Sequence, residues 1–215
     1  MSENIKSSLK NIFDTWAESG RYQQTIDGHL TTVNHMVNYI DLPEKSFDFL
    51  DIGCGNGWVC ERVSQFDNCN SCTGIDISSG MIAKANRENK NAKTNFYNSD
   101  ILEWQTDKKF DLVFIVEAAY YFPDLKEYLA KIKSLIKEDG QIVLAIHYFK
   151  ENIESHDWPE KHLNNTQINL LSSTEWQKTL KEVGFKSVQA KLFKDLFSQE
   201  KWERELGGLV IKATA

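Results

Sequence analysis

Leu50-Asp51-Ile52-Gly53-Cys54-Gly55-Asn56-Gly57 is the stretch that decides the fold of this chain. It follows the apolar segment 47–50 and leads into residues 58–63, which can form a helix. Glycines at alternate positions let the backbone turn tightly and approach a ligand closely. Such a turn at the carboxyl end of a parallel strand is typical of a nucleotide site. The sequence therefore predicts an α/β fold with a nucleotide-like cofactor at this turn.

The composition indicates one folded domain in a chain of 215 residues. Hydrophobic residues make up 41% and charged residues 26%, which is sufficient for a packed core. The net charge of -6 disfavours a phosphate backbone, so nucleic acid is not an expected partner. No apolar run reaches the roughly 18 residues that span a bilayer, and residues 1–10 lack a signal-peptide core. We therefore expect a cytoplasmic protein without a membrane span.

The four cysteines do not form a recognisable metal or redox motif. Cys54 lies in the glycine turn and Cys60 on the segment after it, while Cys69 and Cys72 form a lone C-x-x-C before a predicted strand. A zinc site would need a second ligand pair at suitable spacing. We expect reduced thiols and no metal.

Apolar segments alternate with helical segments after Pro43. Strand-like segments of this kind, separated by helices, predict a doubly wound parallel sheet with helices on both faces. The predicted strands are 47–52, 72–77, 94–98, 110–116 and 141–147. The predicted helices between them are 57–66, 79–90 and 125–137, with Gly140 as a turn into the last strand.

The two ends of the chain add elements to this core. Residues 5–18 and 23–40 have apolar spacing that predicts two helices. A helix is predicted from Ser173 to Gly184, followed by strands 185–193 and 206–214. Their short connection, in which residues 198–204 can form a helical turn, favours an antiparallel hairpin. Seven strands result, with the last one antiparallel. We divide the single domain into four parts. They are an N-terminal helical cap (residues 1–43), a cofactor-binding core (44–147), a substrate-side insertion (148–172) and a C-terminal helix with a strand hairpin (173–215).

The glycine turn does not match the dinucleotide fingerprint G-x-G-x-x-G, whose third glycine lets helix and strand pack closely. Counted from Gly53 the third glycine would be Trp58, and counted from Gly55 it would be Cys60. The pattern is instead D-x-G-x-G-x-G and begins at Asp51. An NAD-dependent oxidoreductase on a related fold is therefore the alternative function and not the favoured one.

Six segments in order resemble the motifs of the class I S-adenosylmethionine-dependent methyltransferases, over residues 47–215. The likeness implies a Rossmann-like fold, S-adenosylmethionine as cofactor and S-adenosylhomocysteine as product. It is closest to the small-molecule branch of the family. The segments are Leu50–Gly57, Gly74–Ser78, Asn98–Ile101, Phe110–Phe114 with Glu117, Leu135–Gln141 and Trp176–Phe185.

The resemblance also implies which residues hold the cofactor. Asp76 is expected to accept hydrogen bonds from the ribose hydroxyls of the cofactor, and Asp51 is expected to hold the ammonium of its methionine part. The remaining expected contacts are the glycine turn against the methionine part (Gly53, Cys54, Gly55, Asn56, Gly57), the adenine pocket (Ile77, Met81, Asp100, Ile101), Glu117 over the methionine end and Tyr22 at the methionine carboxylate.

The acceptor is expected beyond the carboxyl ends of the strands, covered by the N-terminal helices and residues 148–172. His147 is the predicted base, and Tyr121 is predicted to orient the acceptor. The tetrapeptide Glu117–Tyr120 differs from the Asn/Asp-Pro-Pro-Tyr/Phe of many enzymes that methylate nucleobases or glutamine. We therefore expect a small-molecule acceptor and a monomer or homodimer. A non-catalytic module that only binds S-adenosylmethionine is a further alternative.

Overall fold

A computed structural model describes residues 2–21, 31–37, 39–40 and 42–215. Its centre is a seven-stranded sheet with strand order β3-β2-β1-β4-β5-β7-β6. The strands are β1 (Phe47–Ile52), β2 (Cys69–Asp76), β3 (Thr94–Asn98), β4 (Phe110–Val116), β5 (Ile136–Ile146), β6 (Lys186–Phe193) and β7 (Gly208–Thr214).

The strand directions confirm the predicted topology. Strands β1 to β5 pair in parallel, whereas β7 is antiparallel to both β5 and β6. The order reverses beside β1, because β2 lies on one side of it and β4 on the other. In an open α/β sheet a ligand binds at such a switch point, beyond the carboxyl ends of the strands.

Helices cover both faces of the sheet. In chain order they are α1 (Ser2–Ser19), α2 (residues 31–37), α3 (Trp58–Val63), α4 (Ser79–Glu88), α5 (Leu125–Ser134), α6 (Trp158–His162), α7 (Ser173–Val183) and α8 (Lys201–Glu205). One apolar core lies between the sheet and α5 and α7, and a second lies between the sheet and α2 and α3. None of the helices in the described ranges is long and apolar enough to cross a membrane.

Two predicted strand starts were wrong by three residues or more. Strand β2 begins at Cys69 rather than at residue 72, so the C-x-x-C belongs to the strand, and the two thiol sulfurs lie 3.5 Å apart. Strand β5 begins at Ile136 and contains Gly140, which is not a turn after a helix. The register of β5 against β4 shifts there, and a Cβ on Gly140 would lie 2.5 Å from the Ile136 side chain. Glycine is therefore needed for close packing at an irregularity in the strand.

Helix α1 is attached to the start of α4 through Asp14. The Asp14 carboxylate accepts hydrogen bonds from the Ser78 hydroxyl (2.6 Å) and the Gly80 backbone N–H (2.9 Å), and Lys10 pairs with it at 2.8 Å. A carboxylate at a helix N-terminus satisfies free N–H groups and interacts favourably with the helix dipole. This contact holds α1 beside the carboxyl ends of the strands.

We predict that Asp14→Ala lowers the free energy of unfolding by roughly 1.5–3 kcal/mol, the contribution of hydrogen bonds to a charged group. Partial burial alone would raise the pKa of Asp14, but its bonds to Lys10, Ser78 and Gly80 lower it. The stabilisation should therefore be present above the pKa of an unfolded aspartate and be lost as the pH falls below it. Urea denaturation at pH 7 and at pH 3 measures both effects. Glu18→Ala, at an exposed position of the same helix, is the control and should change little.

Candidate active site

The glycine turn joins β1 to α3 and is hydrogen-bonded to the end of β2. The backbone N–H groups of Gly53 and Cys54 both donate to the Ile75 carbonyl oxygen, at 2.8 and 3.1 Å. Gly53, Gly55 and Gly57 have φ of 74°, 54° and 83°, the left-handed region that favours glycine. A Cβ on Gly53 would lie 2.4 Å from the Ala118 side chain, whereas one on Gly55 would meet no atom within 4 Å. The backbone at Gly55 is therefore open to a ligand.

Asp76, the last residue of β2, holds the turn from the other side. Its carboxylate accepts hydrogen bonds from the backbone N–H groups of Gly55 (2.9 Å) and Ser78 (2.8 Å). Burial raises the pKa of Asp76, while these two bonds lower it. A carboxylate has about four lone-pair sites, so acceptor capacity remains for a diol. The position fits the predicted contact with ribose hydroxyls.

Asp51 lies beneath the turn and is 1% exposed. The Cys60 thiol lies 3.9 Å from its Oδ2, and Oδ1 accepts no hydrogen bond from the part of the chain that the structure describes. Burial, together with the nearby Asp76 carboxylate, raises the pKa of Asp51 to about 8. A buried carboxylate oxygen without a donor is costly unless a ligand supplies one. The ammonium of S-adenosylmethionine would supply it, so the residues present fit this cofactor.

A cavity of about 670 Å³ opens at the carboxyl ends of β1, β2, β4 and β5. Ile77, Met81, Ser99 and Ile101 line one end, where they form an apolar pocket suited to an adenine ring. Every residue of the turn from Asp51 to Asn56 also lines the cavity, whereas Gly57 packs against the Phe96 ring. Most of the predicted donor-binding residues, but not Gly57 or Asp100, thus line one cavity.

Two of the predicted cofactor contacts, those of Asp100 and Tyr22, do not have this support from the cavity. The Asp100 carboxylate is already engaged by the Tyr128 hydroxyl (2.7 Å), the Lys6 ammonium (2.6 Å) and the Leu102 backbone N–H (2.9 Å). Its contact with the adenine amino group stays a prediction. Tyr22 lies outside the described residues.

Glu117 follows β4 and has an unusual backbone, with φ of 52°. Non-glycine residues in this region are strained and cluster at functional sites. Its Oε2 accepts a hydrogen bond from the Tyr120 hydroxyl at 2.8 Å, and its side chain is 9% exposed. Burial raises the pKa of Glu117 to about 8, although the Tyr120 hydroxyl and the His147 backbone act in the opposite direction. A carboxyl group of this kind can exchange a proton near neutral pH.

His147 and Tyr121, the predicted catalytic residues, both line the cavity. His147 Nε2 is hydrogen-bonded to the Thr32 hydroxyl at 2.7 Å, and its Nδ1 lies 3.8 Å from Glu117. The Tyr121 hydroxyl accepts a hydrogen bond from the Trp158 indole N–H at 3.1 Å. Their catalytic roles stay predictions.

Sequence reasoning missed the contribution of α8 to this site. Trp202 and Glu203 line the cavity, and the Trp202 ring lies 4.9 Å from the His147 ring in an edge-on arrangement. The connection between β6 and β7 was expected to hold a helical turn, as it does, but was not assigned to the acceptor side. No local pattern indicates where it folds, because its position depends on the pairing of β7 with β5.

We predict that Asp51→Asn makes the ligand-free protein more stable than the wild type, by an amount that grows between pH 4 and pH 8. The folded-state pKa of Asp51 is about 8 and the ordinary value is 3.8, so the wild type loses stability as the pH rises across this interval. Each pKa unit corresponds to about 1.4 kcal/mol. Thermal denaturation of both proteins across this pH range measures the difference.

Asp48→Asn is the matched control for this experiment and should have the opposite sign. Despite partial burial, bonds from Ser71 and Asn70 and the Lys108 ammonium lower the pKa of Asp48 to about 2. The wild type therefore gains stability from Asp48 as the pH rises from 2 to 4, and the Asn variant should be less stable at pH 7. Equal pH profiles for the two variants would contradict the environment assigned to Asp51.

Comparison with known proteins supports the cofactor assignment. The profile of a family described as a methyltransferase domain matches residues 24–190. Malonyl-[acyl-carrier protein] O-methyltransferase of Acetivibrio thermocellus is 33% identical over 113 residues, which is 52% of this chain and 40% of that protein. Trans-aconitate 2-methyltransferase of Escherichia coli O157:H7 is 28% identical over 148 residues, 68% of this chain and 53% of that protein. The chain spans about half the length of the curated relatives it matches.

The fold agrees with these relatives. A chain from the complex between the Trm112 methyltransferase activator and a methyltransferase of Haloferax volcanii superimposes with a TM-score of 0.85 and is 25% identical. The match covers 94% of this chain and 97% of that one. With its D-x-G-x-G-x-G turn and seven-stranded sheet, the protein belongs to the class I S-adenosylmethionine-dependent methyltransferases.

Proposed function

We propose that this protein transfers a methyl group from S-adenosylmethionine to a small-molecule acceptor. The observation that carries the proposal is the pair of buried carboxylates, Asp51 and Asp76, on either side of a glycine turn that opens into the cavity. Family membership supports the same donor. The relatives named for methylation of malonyl-[acyl-carrier protein] and trans-aconitate support methyl transfer as the reaction.

The residues of this chain would act by binding, alignment and exclusion of water. When bound, S-adenosylmethionine supplies a methyl group already activated by its sulfonium. Asp51 would hold the ammonium, Asp76 the ribose diol, and Ile77 and Met81 the adenine. The aromatic side chains of α1 and α6 cover the rest of the cavity and limit the entry of water. Alignment of two reactants in this way is a large source of rate enhancement.

The alternatives make different predictions about binding. An NAD-dependent oxidoreductase should bind NADH and ignore S-adenosylhomocysteine, but Trp58 occupies the place of a third glycine. A non-catalytic module should bind S-adenosylhomocysteine without turnover. We also propose a cytoplasmic location, a monomer or homodimer and no nucleic-acid partner, in keeping with the net charge of -6.

The ribose contact gives a direct test. Asp76→Ala should weaken S-adenosylhomocysteine binding by roughly 1.5–3 kcal/mol, the contribution of hydrogen bonds to a charged group. Isothermal titration calorimetry measures the change, and a thermal denaturation curve of each protein checks that the glycine turn is still folded. Asp67→Ala, at an exposed position between β1 and β2, is the control. An unchanged dissociation constant for Asp76→Ala, or tighter binding of NADH by the wild type, would overturn the proposal.

A further inference from the structure

We propose that the methyl acceptor is an amine, and that its ammonium binds to Glu117 inside an aromatic pocket formed by Phe13, Trp16, Tyr121 and Trp158. This inference rests on the proposed function and adds the chemical class of the acceptor. It also changes the role expected for Glu117, which the sequence pattern placed over the methionine end of the donor.

The Glu117 carboxylate has an acceptor oxygen available in the cavity. Its Oε2 is occupied by the Tyr120 hydroxyl at 2.8 Å. Its Oε1 is buried and has no well-formed hydrogen bond from a described residue, although the His147 backbone lies close enough to lower the pKa of the carboxyl and the His147 ring Nδ1 lies 3.8 Å away. When it is ionised, a glutamate that is 9% exposed needs a donor for this oxygen. The strained backbone, with φ of 52°, holds the side chain at this position.

The donor alone does not account for both buried carboxylates. S-adenosylmethionine carries one ammonium, while Asp51 Oδ1 and Glu117 Oε1 are both buried without a well-formed hydrogen bond from a described residue. Asp51 lies beneath the glycine turn, where the methionine part is expected, and Glu117 lies beside Tyr121, His147 and the acceptor side of the cavity. A second cationic N–H group would stabilise the ionised form of Glu117, and an amine acceptor supplies it.

Aromatic rings line the path from the cavity mouth to Glu117. Phe13 contacts Tyr121 at 5.3 Å between ring centroids, Trp16 contacts Trp158 at 6.0 Å, and Tyr121 contacts Tyr120 at 4.5 Å. The Trp158 indole N–H donates to the Tyr121 hydroxyl, which fixes the two rings relative to each other. Aromatic faces attract organic cations, and they bind the carbon skeleton of an amine equally well.

The charges that line the cavity also favour a cation over a carboxylate. The basic side chains all have partners: Lys6, Arg21, His147, Lys161 and His162. Arg21 contacts His162 at 2.6 Å and stacks over the Trp16 ring, while Lys161 pairs with Asp157 at 2.6 Å. The acidic side chains that line the cavity are more numerous: Asp51, Asp76, Glu117, Glu154, Asp157, Glu200 and Glu203.

Glu117 would also prepare the amine for reaction. An ammonium has no lone pair, so one N–H bond must break before nitrogen can attack carbon. The proton passes to the Glu117 carboxylate, which becomes a carboxylic acid, and the electron pair of the N–H bond remains on nitrogen. Burial raises the pKa of Glu117 to about 8, which makes it a stronger base than an ordinary glutamate.

Calorimetry on the protein saturated with S-adenosylhomocysteine tests the inference. The probes are a set of primary amines of different size, led by phenethylamine, each matched to a carboxylate of similar shape, such as 3-phenylpropionate for phenethylamine. We expect amines to bind at least tenfold more tightly than their matched carboxylates. Glu117→Gln should weaken amine binding about 10- to 100-fold, as expected for the loss of a charge-assisted hydrogen bond. It should leave S-adenosylhomocysteine affinity within about twofold.

Proton release provides a second readout. Because Glu117 is largely protonated at pH 7, amine binding should release a proton, which appears as a dependence of the binding heat on the buffer. The other titratable groups facing Glu117 are Tyr120, Tyr121 and His147. Glu117→Gln should abolish the release although His147 is retained. Tyr120→Phe, which keeps the carboxylate, should weaken amine binding less than Glu117→Gln does.

Glu138→Gln, at an exposed position at the opposite end of the sheet, is the matched control and should behave as wild type. Preference for the carboxylates, absence of binding by every amine, or a Glu117→Gln defect in S-adenosylhomocysteine binding as large as that in amine binding would overturn the inference. Failure of the proposed function has a different signature, since the wild type would then not bind S-adenosylhomocysteine at all.

Discussion

The structure depends on the hydrogen bonds between the glycine turn and the end of β2. Two backbone N–H groups of the turn donate to the Ile75 carbonyl oxygen, and a third donates to the Asp76 carboxylate. These bonds require left-handed backbone at Gly53 and Gly55, which other residues adopt only with strain. They place the ends of β1 and β2 side by side and leave the turn open toward the cavity. The donor site, the cavity and the position of Asp51 all follow from this arrangement.

Burial of acidic groups is the second feature that shapes the site. Asp51 and Glu117 are removed from water without enough hydrogen-bond donors, and burial raises the pKa of each to about 8. Such groups destabilise the ligand-free protein and favour binding of a cation. The apolar cores on both faces of the sheet provide the stability that offsets this destabilisation. Under the functions proposed above, these two carboxyl groups bind the cationic groups of the donor and the acceptor.

Segments outside the cofactor-binding core enclose the cavity at the carboxyl ends of the strands. Helix α1 is held by Asp14 at the start of α4, α6 brings Trp158 against Tyr121, and α8 places Trp202 against His147. The core therefore supplies the proposed donor contacts, and these added elements contribute Phe13, Trp16, Trp158 and Trp202 to the aromatic lining. Differences between relatives in such segments would alter the acceptor without altering the donor site, since no residue of the glycine turn belongs to them.

The sequence by itself determined the alternating fold, the antiparallel last strand, the glycine turn and its acidic partners, because periodicity and glycine placement are local signals. The strand boundaries predicted from the sequence were wrong at starts such as Cys69 and Ile136, because pairing with a neighbouring strand extends the strand there. Only the tertiary structure decided that Asp100 is engaged by Lys6, that α8 reaches His147, and that one oxygen of Glu117 is buried without a well-formed hydrogen bond from a described residue. These facts depend on which distant segments meet in space, and no local pattern carries that information.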